Sequence, residues 1–214
     1  MSSVTHTLKI AAFCFFGFAV QHAANAATIT NTGTFTADNQ VFEQTLVVST
    51  TQLFSFFTTS YGGGRNLDGS TTLAGGFVPV LTLFSSVTGR VVGIDGASGV
   101  CSGSARLDPT TRMCDDAFFT AILTPATYVL DLTEFPNVAN DRLTTTPRFL
   151  FSSDVSATGT TCGVPGGKFL QADTAPCTQR NGSFAVNVSS VPEPATWLML
   201  LPAAGALFCF RRRS

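Results

Sequence analysis

Along the middle of the chain, apolar residues recur mostly at every second position, in short runs broken by Gly, Pro, Thr, Asn and Asp. That is the period of half-buried strands. Phe42, Leu46 and Val48 share one face of a first strand, and Gln52 to Thr59 continue as a second. A Gly-rich stretch, Tyr61 to Gly76, follows; Gly62-Gly63-Gly64 precedes no helix start and reads as a flexible loop. Pro79 to Ser85 and Arg90 to Asp95 form two strands around a Thr88-Gly89 turn. Further strands are predicted at Asp116 to Leu123, across Tyr128, Leu130 and Leu132, at Arg148 to Ser152, and at Gly182 to Ser189. In the last, Phe184, Val186 and Val188 alternate with Ala185, Asn187 and Ser189, a half-buried pattern. No amphipathic helical run lies between the two ends. Seven to nine short strands with turns between them predict an all-β fold, a single antiparallel β-sandwich of jelly-roll-like layout.

Both ends break this pattern with longer apolar runs, and these predict a signal helix in front of the sandwich and a short transmembrane helix behind it. Near the start, Lys9 precedes an apolar stretch from Ile10 to Val20, and Ala24-Asn25-Ala26 supplies a small-x-small cleavage pattern. This is the layout of a secretory signal peptide, residues 1–26, cut after Ala26; the run is too short for a first transmembrane helix. At the other end Pro192-Glu193-Pro194 precedes an apolar run from Ala195 to Phe210, closed by Arg211, Arg212 and Arg213. The prolines keep the triplet out of helix and sheet, and the arginines hold the terminus on the cytoplasmic side. Sixteen helical residues span roughly 24 Å against about 30 Å of hydrocarbon. Thinning of the bilayer and snorkelling let so short a segment cross. On physical grounds alone it reads either as a tail anchor or as a segment held briefly and then cut.

The order of Pro192-Glu193-Pro194, apolar run and arginine cluster resembles the PEP-CTERM sorting signal of Gram-negative bacteria. The resemblance implies recognition by an exosortase, a membrane-embedded cysteine protease, after the export machinery has acted. It further implies loss of the tail (191–214) and passage from an inner-membrane intermediate to the cell surface or extracellular matrix.

Trimming both ends leaves about 165 residues, enough for one extracytoplasmic domain (27–190) with a sizeable core. It carries twelve acids against eight bases, a net charge near −4. With no basic patch, there is no counterion release to favour nucleic acid. Four cysteines belong to this part: Cys101, Cys114, Cys162 and Cys177. An even number in an exported domain reads as disulfides. Spacing favours the local bridges Cys101–Cys114 and Cys162–Cys177, with crossed connectivities left open. Closing a loop of about 15 residues stabilises by roughly 3 kcal/mol in the chain-entropy model. Zinc is the competing reading, and it lacks both a CxxC and a histidine.

The segments Tyr61-Gly62-Gly63-Gly64, Gly75 to Phe84, Asp116-Ala117-Phe118-Phe119 and Ala126 to Leu130 are similar to small sandwich domains of PEP-CTERM proteins. They also resemble bacterial pre-peptidase C-terminal domains, over roughly residues 50–190. This chain departs from those relatives with Val78 in Gly-Phe-Val-Pro, where they carry aspartate, and with Ile94-Asp95-Gly96 in place of an acidic pair. The resemblance therefore implies the fold and no calcium site.

Catalytic signals are sparse. Both histidines, His6 and His22, fall in the signal peptide, which removes Ser-His and Cys-His pairs and the usual neutral-pH base from the domain. Nucleophile-elbow, zincin and phosphate-loop motifs are absent. Two carboxylates suffice for a glycosidase, but Asp131 and Glu134 are three apart and fall on opposite faces of a strand. Asp95, Asp108, Asp115 and Asp116 gather near one end as candidate calcium ligands without EF-hand spacing. The single Trp, Trp197, lies in the tail, so sugar stacking has only Tyr61 and Tyr128. The sequence thus predicts a non-enzymatic exported surface or matrix protein without cofactor or metal, associated with exopolysaccharide or biofilm. A carbohydrate- or calcium-binding adhesion module is the second reading, and a carboxylate-dependent glycosidase the third.

Overall fold

The computed structural model describes residues 27–96, 101, 106–140, 142–146, 148–149, 168–171 and 177–191. In chain order the strands are β1 (Thr28–Thr34), β2 (Phe42–Val48), β3 (Gln52–Thr58), β4 (Gly64–Arg65), β5 (Thr71–Thr72), β6 (Pro79–Ser85), β7 (Val91–Gly96), β8 (Phe118–Leu123), β9 (Ala126–Glu134), β10 (Leu170–Gln171), β11 (Thr178–Gln179) and β12 (Ser183–Val191). Among the described residues there is no helix. The expected signal and transmembrane helices lie outside the described residues.

Eight of these strands make two antiparallel four-stranded sheets, ordered β1-β12-β3-β8 and β2-β9-β6-β7. The pairs β1 with β12, β2 with β9, β3 with β8 and β6 with β7 nest one inside the next. A long hairpin folded over on itself gives this order, which is a jelly roll. The all-β sandwich expected from the period-two pattern is therefore the fold.

One core fills the space between the sheets. Phe54, Phe56, Val186 and Val188 come from the first sheet, and Leu46, Leu81, Leu83, Leu130 and Leu132 from the second. At one end it becomes aromatic: Phe77 has no exposed surface, stacks on Phe35 at 5.1 Å and meets Phe169 at 5.7 Å. Truncating such a ring to alanine costs about 3–5 kcal/mol. The ring of Phe184 lies against Gly33 on the neighbouring strand, where an added Cβ would come within 2.5 Å of it.

Two local expectations change. The stretch after β3 is no flexible loop: Tyr61, Gly63 and Gly64 are buried, and β4 pairs with β5. Gly63 sits at φ +65°, the left-handed region that favours glycine. The outer face of β12 is covered, not half-exposed. The β4–β5 hairpin lies across it, with Leu67 N donating to Asn187 Oδ1 (3.0 Å) and Asn187 Nδ2 donating to Asn66 Oδ1 (3.0 Å).

Candidate functional site

The nested order sorts the connections by length. Tight turns 49–51, 86–89 and 124–125 gather at one end of the sandwich, and the long connections at the other. The short-turn end also holds both ends of the described chain. Thr28 is paired with Ser189, Ala27 N donates to Ser190 Oγ (2.9 Å), and Ser190 N donates to Ala27 O (2.9 Å). On the other side of β12, Ser190 pairs with Phe54 and Val191 with Leu53. The first residue after the expected signal cut is thus hydrogen-bonded to a residue two positions before Pro192.

The long-loop end is held by a buried polar network. Asp116, just ahead of β8, receives Ser60 N (2.7 Å), Tyr61 N (3.0 Å), Gly62 N (2.8 Å) and the Thr58 hydroxyl (2.8 Å). Burial raises its carboxyl above the ordinary range, and these four donors pull the other way. Each buried donor left unpaired would cost about 1–3 kcal/mol, so this one side chain fixes the turn out of β3. Beside it the Arg180 guanidinium lies 3.8 Å from the Tyr61 ring centroid. It donates to Gly76 O (2.9 Å), Tyr61 O (2.8 Å) and Asp108 Oδ2 (3.0 Å). Burial pushes the Asp108 carboxyl up, but Arg180 and the Thr110 and Thr111 N–H groups outweigh it and hold the group below its usual range. Gln171 joins the network by accepting from the Tyr61 hydroxyl and donating to Asp115 Oδ2 (2.9 Å). Asp95 Oδ2 accepts from Phe118 N (2.7 Å).

The four aspartates proposed for calcium therefore each face a protein donor. Among the described residues no group of three or more His, Cys, Asp or Glu is arranged to hold a metal ion. Cys101 and Cys114 form a disulfide with Cα atoms 4.9 Å apart, closing the loop that carries Asp108. Cys177 is disulfide-bonded too, while Cys162 lies outside the described residues. So do Ala24 and Ala26 of the expected cleavage site, and Pro192, Glu193, Pro194, Arg211, Arg212 and Arg213 of the sorting signal.

Asp131 is a buried acid on a strand, away from this network. Its neighbours Leu130 and Leu132 face the core, so it points to the outer face of β9, between Glu43 on β2 and Thr82 on β6. The segment from Phe135 to Phe149 covers it, and Arg148 Nε stands 3.4 Å from Oδ2. Burial pushes the carboxyl up to about 7; Arg148 lowers it and Glu43 raises it. Glu134 falls on the other face by strand parity, so the two carboxylates do not converge.

An open cleft of about 480 Å³ lies where β1 and β12 meet the β4–β5 hairpin. Thr32, Ser70, Thr71, Thr72, Asn181 and Ser183 line it with hydroxyl and amide groups, together with Gly33, Leu73, Ala74 and Phe184. No charged side chain lines it. Sequence reasoning missed both this cleft and Arg180. The cleft residues come from segments far apart in the chain, and an isolated arginine carries no local signal.

The described domain is all-β, with its first and last strands paired side by side. Residues 190–213 match the PEP-CTERM protein-sorting motif. That motif implies an exported protein, anchored transiently in the membrane and processed by an exosortase. No curated protein matches the chain. Among solved structures it is similar to a periplasmic inhibitor of g-type lysozyme, Aeromonas hydrophila PliG. Identity is 15%, coverage is 80% of this chain and 93% of that one, and the TM-score is 0.32.

Proposed function

We propose that the chain is a non-enzymatic surface or matrix protein, delivered by an exosortase-type system after two cuts. In this reading residues 1–26 are a signal peptide removed after Ala26, 27–190 are the working domain, and 191–214 are the disposable sorting tail. The observation that carries it is the clamp between Ala27 and Ser190. A seven-residue strand is about 23 Å long. Termini at opposite ends of the sandwich would need roughly seven extended linker residues to reach one membrane. Here both appendages leave from neighbouring positions on one end, so the domain can sit on the periplasmic face while both segments occupy the same bilayer.

Replacing Pro192, Glu193 and Pro194 with alanine tests it. The variant is expected to fractionate with the inner membrane, while the wild type reaches the surface or medium. Identical distribution of the two overturns the sorting role.

The finer role we infer is association with exopolysaccharide in a biofilm matrix. The hydroxyl-lined, uncharged cleft supports it, because neutral glycans offer matching donors and acceptors and no charge. Titration with the host's exopolysaccharide is expected to raise the melting temperature, and Thr32→Val with Thr71→Val to reduce the shift. Absence of any shift overturns the glycan reading and leaves sorting untouched.

A further inference from the structure

We infer that the short-turn end of the sandwich is a membrane-docking surface that rests on the lipid bilayer while the tail is inserted. The inference builds on the sorted, membrane-held intermediate proposed above and adds a contact that the motif does not require.

Three observations converge on that end. The first is exposed apolar surface on the last rungs before the chain leaves the domain. Leu53 and Ile122 are direct cross-strand partners, 40% and 70% exposed, on the same rung as Val191. On the other sheet Val47, at the end of β2, is 81% exposed, and Val87, in the β6–β7 turn, is 78% exposed. Four such side chains around one point of exit form apolar surface that an interface between water and lipid would cover.

The second is charge. Among the described residues the three turns, 49–51, 86–89 and 124–125, contain only Ser, Thr, Val, Gly and Pro. The strand ends that flank them hold no acid. The acids described so far, Glu43, Asp95, Asp108, Asp115, Asp116, Asp131 and Glu134, lie toward the opposite end or beneath the covering segment. Among the described residues the charged side chains at the rim are Arg90 and Arg142, exposed and bridged through their backbones, while Asp141, next to Arg142 in sequence, lies outside the described residues. Cations beside apolar groups match the headgroup layer of an anionic leaflet.

The third is the path of the chain. Ser190 is fixed in the sheet, and the sorting motif begins there. The tail therefore starts at this end without a spacer, which brings these side chains to the bilayer that receives it. Docking there would hold Pro192-Glu193-Pro194 at the membrane surface.

The test uses the full-length chain reconstituted into vesicles of phosphatidylethanolamine and phosphatidylglycerol. A photoreactive benzophenone side chain is placed at Val47, at Ile122, or at Leu107, which is 56% exposed at the loop end. Illumination of floated vesicles is expected to give lipid adducts several-fold more abundant at 47 and 122 than at 107. Equal labelling at all three positions, or none in a chain that floats, overturns docking and leaves tail insertion standing. Crosslinks at 122 to a second copy of the chain overturn it in favour of a dimer. A chain that fails to float overturns both docking and the membrane-held intermediate.

Discussion

At the scale of single residues, the acids divide by what surrounds them. Asp116 and Asp108 are saturated with donors and act as fasteners for loops. Asp131 is different: buried on a strand, it accepts no hydrogen bond from the described residues and has only the Arg148 side chain to offset its charge. Its carboxyl is pushed from 3.8 to about 7, so between those values the folded chain holds a proton that the unfolded chain has released. Stability from this group is full below about pH 4 and is lost as pH rises through 7. The upper bound is about 4 kcal/mol, reduced by whatever solvent reaches the site. Asp131→Asn is expected to flatten the fall in urea midpoint between pH 5 and pH 8 and to raise stability at pH 8. An unchanged pH slope would show that Asp131 is ionised throughout. None of this was legible beforehand, because β-parity separates Asp131 from Glu134 yet does not reveal that the segment four to eighteen residues later folds over it.

Among the elements, the strands written in alternating apolar residues were legible and the polar ones were not. Pro79–Ser85 appears with its expected bounds, and the core face of β9 is the expected Tyr128, Leu130 and Leu132. By contrast β1 reads Thr-Ile-Thr-Asn-Thr-Gly-Thr, with little apolar signal. It forms because the edge of β12 has seven residues to pair with and because Phe184 supplies the missing side chain at Gly33. The covered face of β12 was hidden for a related reason: Asn187 looks like a solvent-facing residue until the β4–β5 hairpin brings Asn66 and Leu67 onto it. Local pattern records which residues a strand buries against its own sheet partner layer. It does not record what a distant hairpin lays on the other side.

For the molecule as a whole, the winding order does most of the functional placement. A jelly roll with an outermost pair β1 and β12 must bring its first and last strands side by side, so its termini leave from one end. The same winding leaves tight, uncharged turns with Val47, Leu53, Val87 and Ile122 at that end, and sends the disulfide and the Asp116 and Arg180 networks to the other. One end is shaped for a membrane and the other is stiffened away from it. The expected sorting residues belong to the tail, and their motif was readable because it is contiguous in sequence. The membrane-facing end was not, since its four aliphatic residues come from three strands and one turn and share an end only in the fold.

The central claim is that both terminal segments are removed and that the domain between them is what remains in use. Intact mass of the protein recovered from the surface or medium of its native host tests this most directly. The account predicts a chain that begins at Ala27 and ends at or near Pro192-Glu193-Pro194, with Cys101 and Cys114 oxidised. A recovered chain that still runs to Ser214, or that still begins at Met1, contradicts it.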